Sequence, residues 1–132
     1  MGKSIYSNIG KQEKHAYRKM YRKHRKEMIR LAKEDRDFDW GYLHDLVITK
    51  IKHMYEYYSA GNNVWQTDET RVPICIQLNH VLQLQEELDH IYDKVDFNSM
   101  TLGTSINNLK KESELYKQIY KFIGEHLEEW WD

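Results

Sequence analysis

Residues 37–61, DFDWGYLHDLVITKIKHMYEYYSAG, decide the fold, because their apolar side chains recur at the three- and four-residue spacing of a helix. Asp39 stands where an N-cap belongs, since its carboxylate can accept free backbone N–H groups. Gly61 stands where a helix commonly ends in the left-handed conformation. This segment is the most apolar of the chain, so we expect it at the centre of the fold, with a buried face made of Trp40, Leu43, Val47, Ile51, Met54 and Tyr58.

The same periodicity on either side predicts further helices at about 11–35, 72–95 and 105–131, beside the one at 39–59. Pro73 fits a helix only in its first turn, which places the start of the third helix near Val72. Thr104 or Ser105 is expected to cap the fourth. Because each helix has an apolar stripe to bury, the predicted fold is all-α: a compact antiparallel bundle of about four helices, in a single domain covering 1–132.

The stripe of the fourth helix is the most regular in the chain. Trp130 completes it, so we expect this side chain to pack inside. Trp131 lies about 100° further round the helix. It therefore either caps the end of the bundle, the interpretation we favour, or contacts another chain. The full stripe is Ile106, Leu109, Ser113, Tyr116, Tyr120, Ile123, Leu127 and Trp130.

The composition is that of a globular protein, with 132 residues of which 40% are hydrophobic and 31% charged. One proline and six glycines favour long helices over a many-turned β fold. No run approaches the roughly 18 consecutive apolar residues of a membrane span, and the first residues lack the apolar run of a signal peptide. Cys75 is the single cysteine. We therefore expect a protein of the cytoplasm with no membrane partner.

The charges are distributed very unevenly along the chain. Residues 1–36 carry a net charge of +8, whereas residues 37–132 carry −9, so the total of −1 conceals a dipolar molecule. On a helical wheel, about half the circumference of the first helix is positive. We predict a binding surface made of this basic face together with Trp131; the basic residues are Lys14, Arg18, Lys19, Arg22, Lys23, Arg25, Lys26 and Arg30.

A few polar residues allow an alternative, metal-dependent function. The adjacent His44 and Asp45 resemble the metal-binding pair of HD-type phosphohydrolases, in which a divalent metal activates water. Asp89 or Asp93 would then supply a further ligand. On the wheel, however, His44 faces the core and Asp45 points away, so a core histidine is the simpler interpretation. Glu87 and His90 have the spacing of di-metal bundles, but the second such pair is missing and both lie outside the apolar stripe.

The second helix and the closing residues resemble small all-helical accessory proteins of tailed bacteriophages. These proteins share an Asp-Trp-x-Tyr-Leu opening, a Lys-hydrophobic-x-x-Met step, an aromatic helix end and a closing Trp-Trp-Asp. The resemblance implies a phage-encoded, all-helical protein that is expressed in the cytoplasm of a bacterial host. The matching positions are Asp39, Trp40, Tyr42, Leu43, Lys50, Ile51, Met54, Tyr58, Trp130, Trp131 and Asp132.

Three functions follow from these features. The favoured one is a non-enzymatic accessory protein that binds a host or phage macromolecule, for example as an anti-defence inhibitor of a host nuclease. A protein is the expected partner; nucleic acid is the alternative for the basic face. The other hypotheses are a nucleotide or phosphoester hydrolase that uses His44 and Asp45, and an oligomeric sponge for a nucleotide ligand. We expect no cofactor, and self-association into a homo-oligomer is compatible with the sequence.

Overall fold

The computed structural model describes residues 11–61, 66–93 and 95–132, with side chains from His15 onward. Four helices, α1 to α4, contain most of these residues: Lys11–Ala32, Trp40–Ser59, Asp68–Asp89 and Leu102–His126. A short 3₁₀ turn, Leu127–Glu129, follows the last of them. The described residues include no strand, so the predicted all-α class is confirmed. None of their helices is long and apolar enough to cross a membrane.

Both ends of α2 are closed by the residues that the sequence indicates. The Asp39 side chain accepts a hydrogen bond from the Gly41 N–H at 2.8 Å, so it is the N-cap. Gly61 has φ of 72°, a conformation that costs other residues more because of their Cβ atoms. The predicted bounds of this helix are therefore nearly those observed.

The other helix bounds differ from the prediction. α1 ends at Ala32 rather than 35, and α3 covers 68–89 rather than 72–95. Pro73 is consequently the sixth residue of α3 and not part of its first turn. It lacks the N–H that would bond the carbonyl four residues back, yet the rest of the helix continues.

The start of α4 also lies earlier than predicted. Its cap is Thr101 rather than Thr104 or Ser105, because the Thr101 hydroxyl accepts the Thr104 N–H at 3.1 Å. The helix ends at His126, before the 3₁₀ turn, and not at 131. A run of three candidate caps within five residues explains the displacement, since each of them could satisfy the free N–H groups.

Backbone contacts group the described residues into two compact units, one within 1–78 together with 131–132 and the other within 79–130. In the first unit, α1 and α2 are antiparallel, since the earlier residue His24 bonds Glu56 while the later residue Glu27 bonds His53. Its buried apolar residues are Leu31, Ile48, Ile51, Tyr58, Ile74 and Leu78. The single domain remains a prediction.

In the second unit, the later part of α3 lies antiparallel to α4. The His80 ring is 4.6 Å from the Phe122 ring, and Tyr92, just beyond α3, lies beside the Glu112 carboxylate. The buried face of α4 is not the predicted stripe, because Leu109 is 59% exposed and Leu127, just beyond the helix, is 57% exposed. The buried apolar residues of this unit are Val81, Leu84, Leu88, Leu115, Ile119 and Trp130.

Candidate functional site

A groove of about 780 Å³ runs along one side of α1. Four of its lining residues are cations at positions i, i+3, i+4 and i+7, the spacing that places side chains on one face of a helix. Two carboxylates, one on α1 and one on α2, also line it, and a small and a flexible apolar residue complete the lining. The cationic groove is therefore lined by Lys19, Arg22, Lys23, Lys26, Glu27, Glu56, Ala16 and Met20.

The positive charge on α1 is exposed and mostly unneutralised. Lys23 Nζ lies 3.7 Å from Glu56 Oε2, with the lysine side chain 61% exposed. Within the ranges that the structure describes, the other cations of this face enter no ion pair. Like charges on one face create a positive potential that attracts anionic partners and accelerates their association. These residues are Arg18, Lys19, Arg22, Arg25, Lys26 and Arg30, all exposed.

Two histidines and two glutamates join α1 to α2. His24 Nε2 lies 2.8 Å from Glu56 Oε2, and His53 Nε2 lies 2.9 Å from Glu27 Oε2. The two imidazole rings stack with centroids 3.9 Å apart. On each helix the histidine precedes its glutamate by three residues, and because the helices are antiparallel, the two pairs cross. We call these four residues the His–Glu quartet.

The quartet favours the charged form of both carboxylates. The pKa of Glu27 is lowered mainly by the hydrogen bond from His53, against the opposing effect of burial. The pKa of Glu56 is lowered in the same way by the hydrogen bond from His24, with further help from the charge of Lys23. Since a charged carboxylate can only accept, each histidine Nε2 carries the hydrogen and donates it.

The burial of His53 makes its bond to Glu27 a structural requirement. His53 is only 5% exposed, and a buried polar group without a partner is costly. The quartet therefore fixes the register and rotation of α1 on α2, so that its cations point outward. The apolar and basic patterns of the sequence do not predict the quartet. The recurrence of His-x-x-Glu on two adjacent helices is the signal that could have done so.

Half of the eight predicted basic residues lie in one groove. Lys19, Arg22, Lys23 and Lys26 line the cationic groove. Arg18, Arg25 and Arg30 are exposed elsewhere on α1, outside the groove. The side chain of Lys14 lies outside the described residues.

The closing residues of the chain are held by hydrogen bonds in the first unit. The Tyr57 hydroxyl donates to one carboxylate oxygen of Asp132, and the Gln66 N–H donates to the other at 2.7 Å. The Gln66 side-chain amide also donates to the Trp131 carbonyl at 2.6 Å. These bonds fix the backbone but leave the Trp131 ring 61% exposed, so it is not the cap of a core. Trp130 is 7% exposed and packs inside, as expected.

Three residues of the metal hypothesis are ordinary helix residues, and Asp93 lies in the turn after α3. His44 is buried and Asp45 exposed, as the helical wheel predicts. Asp89 accepts a hydrogen bond from the Gln85 amide at 2.8 Å, and Asp93 bonds the ring of His90. In the described part of the chain, no three His, Cys, Asp or Glu side chains are grouped so that they could hold a metal ion.

No family model, curated protein or solved structure matches this chain.

Proposed function

We propose that this chain is a non-enzymatic accessory protein, of the kind that tailed bacteriophages encode, and that it binds a host or phage protein through the basic face of α1. The observation that carries the proposal is the exposure of six cations on this face without ion pairs among the described residues. Exposed like charges repel one another and weaken the folded state, so a surface that keeps them is best explained by a partner that neutralises them.

The quartet supports the same function, because it holds the face in one orientation. A helix that is already held in position loses less conformational entropy on binding than a loose one, which increases affinity. Charge complementarity also accelerates association. Both properties suit a small protein that acts by stoichiometric binding, such as an inhibitor of a host nuclease.

Charge reversal on α1 tests the proposal. We expect Arg18→Glu/Arg22→Glu/Arg25→Glu to abolish capture of the partner from a bacterial lysate while helicity, measured by circular dichroism, is unchanged. The matched control reverses three exposed lysines of α4, with Lys110→Glu/Lys111→Glu/Lys121→Glu, and should retain capture. Equal capture by the α1 variant and the unaltered protein would refute the proposal.

A further inference from the structure

The spacing of the cations in the groove is that of one helix turn. Lys19 and Lys23, and likewise Arg22 and Lys26, are four residues apart, so each pair is separated by about 6 Å along α1. Carboxylates at i and i+4 on a partner helix repeat with the same rise. The carboxylates of an acidic helix that lies along the groove can therefore contact the cations of both pairs without distorting either helix.

The part of the groove lined by Ala16 and Met20 is suited to an apolar side chain. Ala16 is small and exposed, and the flexible Met20 beside it is half-buried. Methionine adapts its shape to the group that packs against it, and the methylene stems of the neighbouring lysines extend the apolar surface. A groove of this volume has room for the side chains of a short helical segment.

Two features of the lining disfavour nucleic acid as the occupant. Glu27 and Glu56 line the groove, their lowered pKa values favour the charged form, and they would repel a backbone that carries a phosphate at every step. The eight lining residues include no aromatic side chain on which a base could stack. A peptide helix, in contrast, can present carboxylates to the cations and place uncharged side chains beside the two glutamates.

We propose that the cationic groove binds an acidic amphipathic helix of the partner protein, with an apolar anchor over Ala16 and Met20 and carboxylates on Lys19, Arg22 and Lys26. This inference rests on the proposed function and specifies the part of the partner that is recognised. It corresponds to recognition of a helix by a groove, with the charge pattern selecting the ligand.

The probe for the test is a labelled synthetic peptide of about 18 residues, long enough to form an isolated helix. It has leucines on one face and glutamates beside them. A peptide of the same composition with the leucines scrambled, and an oligodeoxythymidine of equal charge, are the comparison ligands. Binding is followed by fluorescence anisotropy, and we expect the amphipathic peptide to bind at least about tenfold more tightly than either.

Two variants of the protein locate the binding. Lys19→Glu/Lys26→Glu should lower the affinity for the amphipathic peptide by about tenfold or more. Arg18→Glu/Arg25→Glu makes the same charge change outside the groove and should alter that affinity by less than about threefold. Ala16→Phe places a bulky ring in the apolar part of the groove without changing its charge, so it should also weaken binding of the amphipathic peptide.

Equal binding of the scrambled peptide, tighter binding of the oligonucleotide, or full affinity in Ala16→Phe would overturn the inference. Its failure is distinct from that of the proposed function. If the peptide does not bind but reversal of Arg18, Arg22 and Arg25 still abolishes partner capture, the partner binds the basic face through something other than an acidic amphipathic helix. If that reversal leaves capture intact, the proposed function itself is wrong.

Discussion

The imidazole rings of His24 and His53 stack between α1 and α2 with their planes within 9° of parallel. Each ring donates a hydrogen bond to a glutamate on the opposite helix, at 2.8 and 2.9 Å. The ring stack and the two hydrogen bonds together fix α1 against α2. Because the cations of α1 follow its rotation, the quartet also determines which residues face solvent.

Removal of one quartet carboxylate should destabilise the fold measurably. Glu27→Ala leaves the buried His53 without its partner, and we expect a loss of about 1–3 kcal/mol in the free energy of unfolding. Chemical denaturation monitored by circular dichroism measures it. Glu125→Ala, at an exposed position of α4, is the control and should stay within about 0.5 kcal/mol.

Glu27 and His53 can also be replaced together. Glu27→Ala/His53→Leu deletes both the acceptor and the buried polar ring, so its destabilisation should be smaller than the sum of the two single changes. A strictly additive double variant would show that the two side chains do not interact.

The quartet should make the protein sensitive to acid. The folded pKa values of Glu27 and Glu56 are lowered, so their contribution to stability is present above the ordinary glutamate pKa of about 4.3 and is lost as pH falls through the folded values. We expect Glu27→Gln/Glu56→Gln to flatten the decrease of Tm between neutral pH and about pH 3. If the Tm of the variant fell with pH as steeply as that of the unaltered protein, residues outside the quartet would cause the acid sensitivity.

The two adjacent tryptophans should respond very differently to truncation. Trp130→Ala removes a buried ring, and we expect it to cost about 3–5 kcal/mol. Trp131→Ala removes an exposed ring and retains the carbonyl that accepts from Gln66, so its cost should stay within about 0.5 kcal/mol. Urea unfolding of the two variants makes the comparison, and similar losses would contradict the assigned burial.

Asp132 should control the ionisation of two tyrosines of α2. Burial, the hydrogen bond to Asp132 and its charge raise the pKa of Tyr57, and burial together with the same charge raises that of Tyr58 to about 12. We expect Asp132→Ala to lower both pKa values in a titration of ¹³C-labelled tyrosine followed by NMR. The control is Tyr42, whose pKa is raised by burial and by Asp35, and it should not move.

From the raised pKa values of Tyr57 and Tyr58 we also expect the protein to lose stability at alkaline pH. Because the folded pKa values are raised, the contribution of Tyr57 and Tyr58 is complete below the ordinary tyrosine pKa of about 10 and is lost as pH rises above it. The decrease of Tm above pH 10 should therefore be less steep in Asp132→Ala than in the unaltered protein. An equal decrease would show that Asp132 does not contribute to it.

Local signals predicted the helices, while the choice of buried face depended on tertiary structure. Asp39 and Gly61 mark the ends of α2 because capping depends on a few neighbouring atoms. On α4, Leu109 and Tyr120 belong to a regular stripe, yet Leu115 and Ile119 are the buried residues. A helix with apolar side chains on more than one side does not determine alone which side it buries.

The candidate site shows the same division. The basic face follows from the positions of lysines and arginines on one helix, so periodicity was enough to predict it. The quartet depends on how two helices are aligned, and neither His24 nor His53 is unusual in its own segment. Trp131 lies beyond the end of α4 and of the 3₁₀ turn, so a helical wheel does not predict its exposure.

The central claim, that the partner rests on the basic face of α1, is tested most directly by site-specific photo-crosslinking. Ile29 lies one turn beyond Arg25 and is 51% exposed, while Leu109 on α4 is 59% exposed and provides a matched control. With a photoreactive phenylalanine analogue at each position in turn, an adduct in a bacterial lysate should form at 29, be absent at 109, and disappear when Arg18, Arg22 and Arg25 are reversed. An adduct at 109 alone, or one at 29 that survives the charge reversal, would contradict the claim.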